Sequence, residues 1–258
     1  MAILEVEGVS KFFGGLAAVS DLSFSVPMPT EILGLIGPNG AGKTTVFNLI
    51  TGQQRPSRGN IRFQGKAIGG EKPHRIAKWG IARTFQATSL FFEETVLANM
   101  LIARHCRMNS GIWGALAIPP STGQEERMAR EKSMEILDKS GLGSKANEYP
   151  HNLTSAEQRM LMIAMALITD PSLLLLDEPS AGMRPQESLT LMNLIRKVRE
   201  WGIAVILIEH DMKLVMNICD RLVVLNFGTK IAEGTPEEIR AHPQVIEAYL
   251  GRRTRAEG

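Results

Sequence analysis

Alternating apolar and polar positions mark the amino-terminal part of the chain as a set of short strands. Residues 3–9 and 17–26 alternate in this way, the second segment ending at Pro27, and residues 60–66 repeat the pattern before a turn. Residues 11–15, which end in two glycines, are expected to form the turn between the first two strands. Short strands separated by turns predict an antiparallel layer beside the rest of the fold.

Continuous apolar runs further along the chain indicate strands that are buried on both faces of a sheet. These runs are residues 31–36, 173–176, 203–208 and 222–226, and shorter strands are predicted at residues 81–85 and 230–233. Helices are predicted between them at residues 45–50, 73–79, 185–201, 212–219, 236–240 and 243–250. Strands that alternate with helices are typical of an α/β fold with a parallel sheet.

A mostly helical block interrupts this alternation. Helices are predicted at residues 95–104, 123–140 and 154–169, with an apolar, turn-rich connector at residues 111–120. A Ser/Thr-x-x-Gln capping box is expected to open the third of these helices. We therefore expect one domain, residues 1–258, in which residues 1–86 and 170–258 form the core with its antiparallel layer and residues 87–169 form a helical subdomain.

Composition narrows the class of protein. The 258 residues are 44% hydrophobic and 22% charged, as in an ordinary globular protein, and the formal net charge of +2 gives no reason to expect nucleic acid as a partner. The start of the chain carries no basic segment, and the longest apolar run, Met160 to Ile168, is far shorter than a membrane span. We therefore expect no signal peptide and no transmembrane segment. Cys106 and Cys219 show no metal-binding spacing, which fits inert thiols in a reducing cytosol.

The residues after the first buried strand match a phosphate-binding loop. They read Gly37-Pro38-Asn39-Gly40-Ala41-Gly42-Lys43-Thr44 and fit G-x-x-x-x-G-K-[ST] between a predicted strand and a predicted helix. Glycine is needed where the backbone wraps closely around phosphate, and the start of the helix adds a partial positive charge. The Lys43 ammonium is expected to reach the β and γ oxygens of ATP, and the Thr44 hydroxyl to bind Mg²⁺. Thr45 follows in the same nucleotide site.

Two carboxylates follow the strand of four leucines at residues 173–176. Ligands of open α/β sheets bind at the carboxyl ends of the strands, which is where Asp177 and Glu178 are expected to lie. Asp177 would hold Mg²⁺, directly or through water, and Glu178 would orient the attacking water or accept its proton. The alternative is a merely polar strand end, and the phosphate loop favours the functional interpretation.

Three further residues allow more than one interpretation. Gln86 follows a predicted strand and precedes the helical block, a position that does not by itself indicate a role. His210 follows the strand at residues 203–208, where a histidine either ends the strand or contacts a γ-phosphate. Phe13 precedes the loop in a predicted turn, where it either joins the core or stacks on a base.

The order of these features resembles that of the ATP-binding cassette (ABC) ATPases. The aromatic loop, Walker A, Q-loop, signature, Walker B and switch histidine of that family correspond to Phe13, residues 37–44, Gln86, residues 153–159, Asp177-Glu178 and His210. The resemblance implies a P-loop NTPase (RecA-like) core. It also implies that two cassettes sandwich two ATP molecules head to tail, that Gln86 senses the γ-phosphate and Mg²⁺, and that His210 contacts the γ-phosphate.

Finer features are similar to those of the ATPase subunits of branched-chain amino-acid importers. They are the sequences FGGL at residues 13–16, ARTFQ at 82–86, AGM at 181–183 and AEGTP at 232–236, together with Trp113. This resemblance implies a peripheral subunit on the cytoplasmic face of the inner membrane. Its partners would be a second cassette, in a heterodimer or a homodimer, two transmembrane permease subunits and, indirectly, an extracytoplasmic solute-binding protein.

Other functions remain open from the sequence. ATPases that serve urea or amide uptake or lipopolysaccharide export share several of these features. A soluble regulatory cassette, or one that acts on DNA or the ribosome, is the alternative from a different class. Leu90, Phe91 and Phe92 either belong to the core of the helical block or dock a short helix of the membrane partner.

The signature segment departs from the family pattern Leu-Ser-Gly-Gly-Gln. It reads Leu153-Thr154-Ser155-Ala156-Glu157. The Ala156 methyl is expected to intrude where glycine lets the backbone approach a γ-phosphate, and the Glu157 carboxylate to repel that phosphate unless it is paired. These departures favour an asymmetric pair of cassettes, in which the site that this signature completes is the weaker one.

Overall fold

The computed structural model describes residues 2–27, 31–84, 90–108 and 123–250. Its strands are β1 Ala2–Phe13, β2 Leu16–Pro27, β3 Ile32–Ile36, β4 Arg58–Phe63, β5 Lys66–Ala67, β6 Ile81–Arg83, β7 Leu173–Asp177, β8 Ala204–Ile208, β9 Arg221–Asn226 and β10 Thr229–Gly234. Its helices are α1 Lys43–Ile50, α2 Pro73–Trp79, α3 Val96–Met108, α4 Gly123–Lys139, α5 Ser155–Leu167, α6 Pro185–Glu200, α7 Met212–Ile218, α8 Pro236–Ala241 and α9 Pro243–Leu250. The predicted elements are thus confirmed within these ranges, with small shifts at their ends.

The predicted antiparallel layer is a four-stranded sheet in the order β2-β1-β4-β5. The prediction of a turn at residues 11–15 was too long, because β1 continues to Phe13 and only Gly14 and Gly15 form the turn. Pairing explains the difference, since Lys11 and Phe13 lie opposite Val19 and Leu16 of β2 and extend the ladder.

The second sheet has six strands in the order β10-β9-β3-β8-β7-β6. Strand β3, which precedes the glycine-rich loop, is central and pairs in parallel with β8 and β9. The predicted parallel sheet therefore holds for five of the strands, whereas β10 turns back and pairs antiparallel with β9. This topology brings the carboxyl ends of β3, β7 and β8 to one edge.

The large sheet separates two hydrophobic cores. Successive leucines of β7 face opposite sides, so Leu174 and Leu176 join one core and Leu173 and Leu175 the other. The first core contains α5, α6 and α7, and the second lies between the large sheet, α1 and the antiparallel layer. Burial on both faces explains why these strands appear as uninterrupted apolar runs.

The helical block contains α3, α4 and α5 and joins the first core. Leu90 is buried and belongs to the core, whereas Phe91 and Phe92 are 47% and 41% exposed, so docking of a partner stays a prediction for these two residues. The fully buried Asn99 fixes the backbone here, since its amide accepts from Phe91 N–H and donates to Phe91 O.

The predicted connector at residues 111–120 and Gln86 lie outside the described residues. None of the helices that the structure describes is long and apolar enough to cross a membrane.

Candidate nucleotide-binding site

The glycine-rich loop connects β3 to α1 at the carboxyl edge of the large sheet. Lys43, the first residue of α1, is only 6% exposed. Its ammonium folds back over the loop and donates hydrogen bonds to Gly37 O at 2.8 Å and Pro38 O at 3.1 Å. Asn39, Gly40 and Thr44 are exposed. The loop is therefore preshaped around a buried cation, with its rim open to a ligand.

Two of the loop glycines are required by close backbone contacts. A Cβ atom on Gly37 would lie 2.1 Å from Leu225 O of β9, and one on Gly42 would lie 2.4 Å from Ala18 O of β2. Gly42 also has a φ of 101°, a conformation that side chains disfavour. In the structure, glycine is needed at these two positions because the backbones of β9 and β2 pack directly against the loop.

The turn between β9 and β10 provides a further support for the loop. Gly228 N–H donates to Ala41 O at 3.0 Å, and Ser20 N–H of β2 donates to Gly228 O at 2.8 Å. Phe13, at the end of β1, is 46% exposed and pairs with Leu16, two residues before the Ala18 that contacts the loop. The antiparallel layer therefore lies against the loop, and Phe13 is a surface residue rather than a core residue.

Asp177 lies at the end of β7 and forms an ion pair with Arg83 of β6. Arg83 Nη2 lies 2.7 Å from Asp177 Oδ2, and the two side chains are 8% and 11% exposed. Arg83 Nη1 also donates to Asn48 Oδ1 of α1 at 2.7 Å, and its guanidinium lies 5.4 Å from the centre of the Phe47 ring. Arg83 thus joins the helix of the phosphate loop to the acidic strand end, a role that was not predicted from the sequence.

Glu178 and His210 meet across the carboxyl ends of β7 and β8. His210 Nε2 lies 2.5 Å from Glu178 Oε1, and both side chains are partly exposed. Glu178 has a φ of 48°, and its backbone is held by its N–H, which donates to Ile208 O, and by Arg159 Nη1, which donates to Glu178 O at 3.1 Å. A non-glycine residue in this conformation is uncommon and is often found at functional sites.

The signature segment forms the start of α5. Its capping box uses Thr154 and Glu157, one residue earlier than the predicted Ser/Thr-x-x-Gln pattern, because Glu157 reaches back to Thr154 N–H at 3.0 Å. Gln158 instead donates from its amide to Pro150 O at 2.8 Å. Thr154 and Ser155 remain exposed.

The two residues that depart from the family signature, Ala156 and Glu157, have different surroundings in the structure. Ala156 is 2% exposed and belongs to the hydrophobic core, so its methyl group does not intrude on the surface. Glu157 is paired with Lys145, whose Nζ lies 2.6 Å from Glu157 Oε1. Partial burial raises the pKa of Glu157, but hydrogen bonds from Lys145 and Thr154 outweigh it and leave this pKa below its usual range. The Ala156 methyl thus lies inside the core, and pairing with Lys145 meets the condition under which no repulsion of a phosphate was expected from Glu157. The effect of this signature on a partner's nucleotide stays a prediction.

Sequence reasoning also missed a contact from the carboxyl-terminal helix. Tyr249 of α9 packs against the first core, and its hydroxyl interacts with the Gly37 backbone at the start of the loop. Burial raises the pKa of Tyr249 to about 12, with a smaller opposing effect from Gly37. No motif marks this residue, because the contact joins segments more than 200 residues apart.

A phosphate loop, a buried lysine, an acidic strand end and a facing histidine, joined to a helical block, define a nucleotide-binding ATPase. Comparison with known proteins agrees with this class. The family model described as "ABC transporter" matches residues 19–181, and the model described as "Branched-chain amino acid ATP-binding cassette transporter" matches residues 229–254. The chain belongs to the ABC transporter family, as one of its ATP-binding cassettes.

Relatives within that family are similar over nearly the whole chain. The high-affinity branched-chain amino acid transport ATP-binding protein BraF of Pseudomonas aeruginosa is 46% identical, over 96% of this chain and 98% of that protein. The corresponding protein LivG of Escherichia coli is 44% identical with the same coverage. A crystal structure of the ADP conformation of an ABC transporter cassette superimposes with a TM-score of 0.86 at 32% identity, covering 97% of this chain and 99% of that one. These findings confirm the predicted family and fold class and the predicted ATPase.

Proposed function

We propose that this chain hydrolyses ATP to drive the uptake of branched-chain amino acids. The observation that carries this proposal is the similarity to BraF over 96% of the chain, combined with a site in which Lys43, Asp177, Glu178 and His210 are all present. The match of residues 229–254 to a branched-chain amino acid transporter model supports this substrate class over urea, amides or lipopolysaccharide.

Residues 37–45 are proposed to bind the phosphates of ATP, with the buried Lys43 exchanging its loop carbonyls for phosphate oxygens. Phe13 is exposed beside the strand that supports the loop, a placement that fits stacking on the base. Mg²⁺ would be held by the Thr44 hydroxyl, Asp177 and Gln86. Hydroxyl, carboxylate and amide oxygens suit this ion, and Thr44 is exposed at the loop rim.

Glu178 is proposed to orient the attacking water and accept its proton, with Gln86 and His210 at the γ-phosphate. The pair of Glu178 and His210 at 2.5 Å supports this proposal, because the two side chains already converge from different strands. Water between them and the γ-phosphate would meet an acceptor on one side and an imidazole on the other.

The partner is proposed to be a second cassette, in a head-to-tail dimer that is a heterodimer or a homodimer. Thr154, Ser155, Ala156 and Glu157 would then face the partner's nucleotide. The exposure of Thr154 and Ser155 supports this placement. With Ala156 buried and Glu157 paired, a weaker second site would have to come from the lost glycine flexibility alone.

Two permease subunits are proposed to anchor the cassettes at the cytoplasmic face of the membrane, with a solute-binding protein acting on the outer side. A groove of about 380 Å³ lies between the core and the helical block and is lined by residues that include Ala77, Arg83, Ala103 and Met162. Its apolar lining fits a short permease helix, and Phe91 and Phe92 offer exposed aromatic surface on the same helical block.

Steady-state ATP hydrolysis tests this function. We expect little activity from the isolated chain and a sharp increase when a partner cassette with the family signature is added. Reconstituted with its permeases and binding protein, the complex is expected to import leucine in an ATP-dependent manner. Brisk hydrolysis by the isolated chain would favour a homodimer, and ATP-dependent import of an amide instead of leucine would overturn the substrate class.

A further inference from the structure

Glu209 is a buried carboxylate directly beside the proposed catalytic pair. It is 3% exposed, and it and Lys43 are the two charged residues that fall in the buried class within the part of the chain that the structure describes. Burial of a charge is costly unless specific partners compensate it. Lys43 has an evident role in the phosphate loop, so the position of Glu209 also calls for an explanation.

Both oxygens of Glu209 accept hydrogen bonds from backbone N–H groups. Ser180 N–H donates to Glu209 Oε1 at 2.7 Å, and His210 N–H donates to Glu209 Oε2 at 3.1 Å. Two acceptors and no donor match the capacity of an ionised carboxylate. The side chain therefore bridges the ends of β7 and β8 by direct contacts.

These two contacts close a ring of interactions around the proposed catalytic pair. Ser180 follows Glu178 by two residues, in a turn that a further hydrogen bond from Ala181 N–H to Glu178 O holds together. His210 in turn contacts Glu178 through its imidazole at 2.5 Å. The carboxylate of Glu209 thus fixes the backbone on both sides of the contact between Glu178 and His210.

We infer that Glu209 is a positioning residue for ATP hydrolysis, holding the turn that carries Glu178 and the backbone of His210 at a fixed separation. The left-handed backbone of Glu178 adds weight to this inference, since such a conformation persists only where its surroundings impose it. The inference rests on the proposed function of Glu178 and His210. Glu209 itself touches neither nucleotide nor water in this scheme.

Glu209→Gln in the assembled transporter is the first test, with the partner cassette's own Walker A lysine replaced so that only this chain's site turns over. Glutamine has the same shape but presents a donor where one of the two N–H groups needs an acceptor. We expect kcat to fall roughly 10- to 100-fold, the cost of a small misplacement of reacting groups. Nucleotide affinity is expected to stay within about twofold, because the phosphate loop is untouched. A twofold change corresponds to about 0.4 kcal/mol, since each 1.4 kcal/mol is a factor of ten.

Glu31→Gln is the matched control. Glu31 is also mostly buried, with a side chain that is 12% exposed and paired with Arg221, but it precedes β3 at the opposite end of the sheet. Its loss is expected to lower the melting temperature and leave kcat unchanged. An equal loss of kcat in both variants would show a general effect of losing a buried charge and would overturn the inference.

A double variant separates positioning from general stability. In a Glu178→Gln background, Glu209→Gln is expected to cost less than about twofold more in single-turnover rate, since coupled residues are not additive. The same factor in both backgrounds would contradict a role through Glu178. If Glu209→Gln fails to fold, Glu209→Asp, which is one methylene short of both N–H groups, replaces it, and a wild-type kcat there would overturn the inference.

The outcomes also distinguish the two proposals. A wild-type transporter that does not hydrolyse ATP would remove the proposed function itself. Hydrolysis by the wild type together with unchanged kcat in Glu209→Gln would leave the function standing and remove only the role of Glu209.

Discussion

His210 Nε2 and Glu178 Oε1 lie 2.5 Å apart, although the two residues are 32 positions apart in the chain. Parallel pairing of β7 with β8 produces this contact, because it aligns Asp177 with Ile208 and so brings the two following segments together. The proposed catalytic pair is therefore brought together by sheet register. A substitution at either residue tests the chemistry more directly than it tests the fold.

Glu178→Gln is expected to leave ATP binding intact and to slow hydrolysis on the order of 10²-fold or more, because the amide cannot accept a proton from water. The measurement is steady-state phosphate release beside equilibrium binding of a fluorescent ATP analogue. Turnover at the wild-type rate would show that another group serves as the base.

Lys43→Ala is expected to weaken nucleotide binding itself. The ammonium is buried against the loop and is the nearest candidate for a charge-assisted contact with phosphate, so its loss should cost roughly 10- to 100-fold in affinity. Isothermal titration with ADP measures this, and Lys139→Ala, which removes a lysine that pairs with Glu135 on α4 and lies over the Trp201 ring, is the control. Equal affinities for the two variants would argue against a phosphate contact.

Arg83→Met is expected to destabilise the fold by about 3–5 kcal/mol, because it leaves the Asp177 carboxylate buried without its cation. At roughly 2–4 °C per kcal/mol for a chain of this size, the melting temperature should fall by roughly 6–20 °C. Arg127→Met is the matched comparison, since Arg127 pairs with Glu131 on the surface and is 79% exposed. Similar melting temperatures for the two variants would mean that the Arg83 pair adds little to stability.

The lowered pKa of Glu157 predicts a pH-dependent contribution to stability. A carboxyl group whose pKa is lowered by folding stabilises the protein above its ordinary pKa of 4.5, and the contribution is lost as the pH falls through the lower folded value. Glu157→Gln keeps the capping box but loses the charge paired with Lys145, so at pH 7 it should cost about 0.5–1 kcal/mol.

Thermal melting of wild type and Glu157→Gln between pH 7 and pH 4 tests this contribution. The difference in melting temperature should be present at pH 7 and shrink below pH 4.5. A difference that stays constant over the whole range would assign the effect to the changed amide and not to the charge.

Local patterns were enough to predict most of the fold. The alternation of leucines between two cores explains why residues 173–176 were identified as a doubly buried strand, and the phosphate loop has a fixed spacing because its geometry is local. The antiparallel direction of β10 was not predicted. A tight turn at residues 226–229 reverses the chain and pairs β10 with β9, and a local pattern does not indicate this pairing.

The contacts around the site were less predictable. The contacts of Arg83 and Tyr249 join residues at least 35 positions apart in the chain. The contact of Glu209 joins the ends of two strands. No spacing rule predicts such pairs. The surroundings of Ala156 and Glu157 were equally hard to predict. The start of α5 places Ala156 in the core, and Lys145, ten residues before the helix, pairs with Glu157.

The central position of β3 has a consequence for how the protein is made. β3 ends at Ile36, but its neighbour β8 begins at Ala204, so about 170 residues must be synthesised before the phosphate loop gains its first parallel partner. At roughly 5–20 residues per second, the ribosome needs on the order of 10–30 s to do so. During that interval the apolar segment at residues 32–36 lacks its parallel partners β8 and β9. We therefore expect a nascent chain arrested before residue 204 to bind ATP poorly, although the loop is among the first segments to leave the exit tunnel.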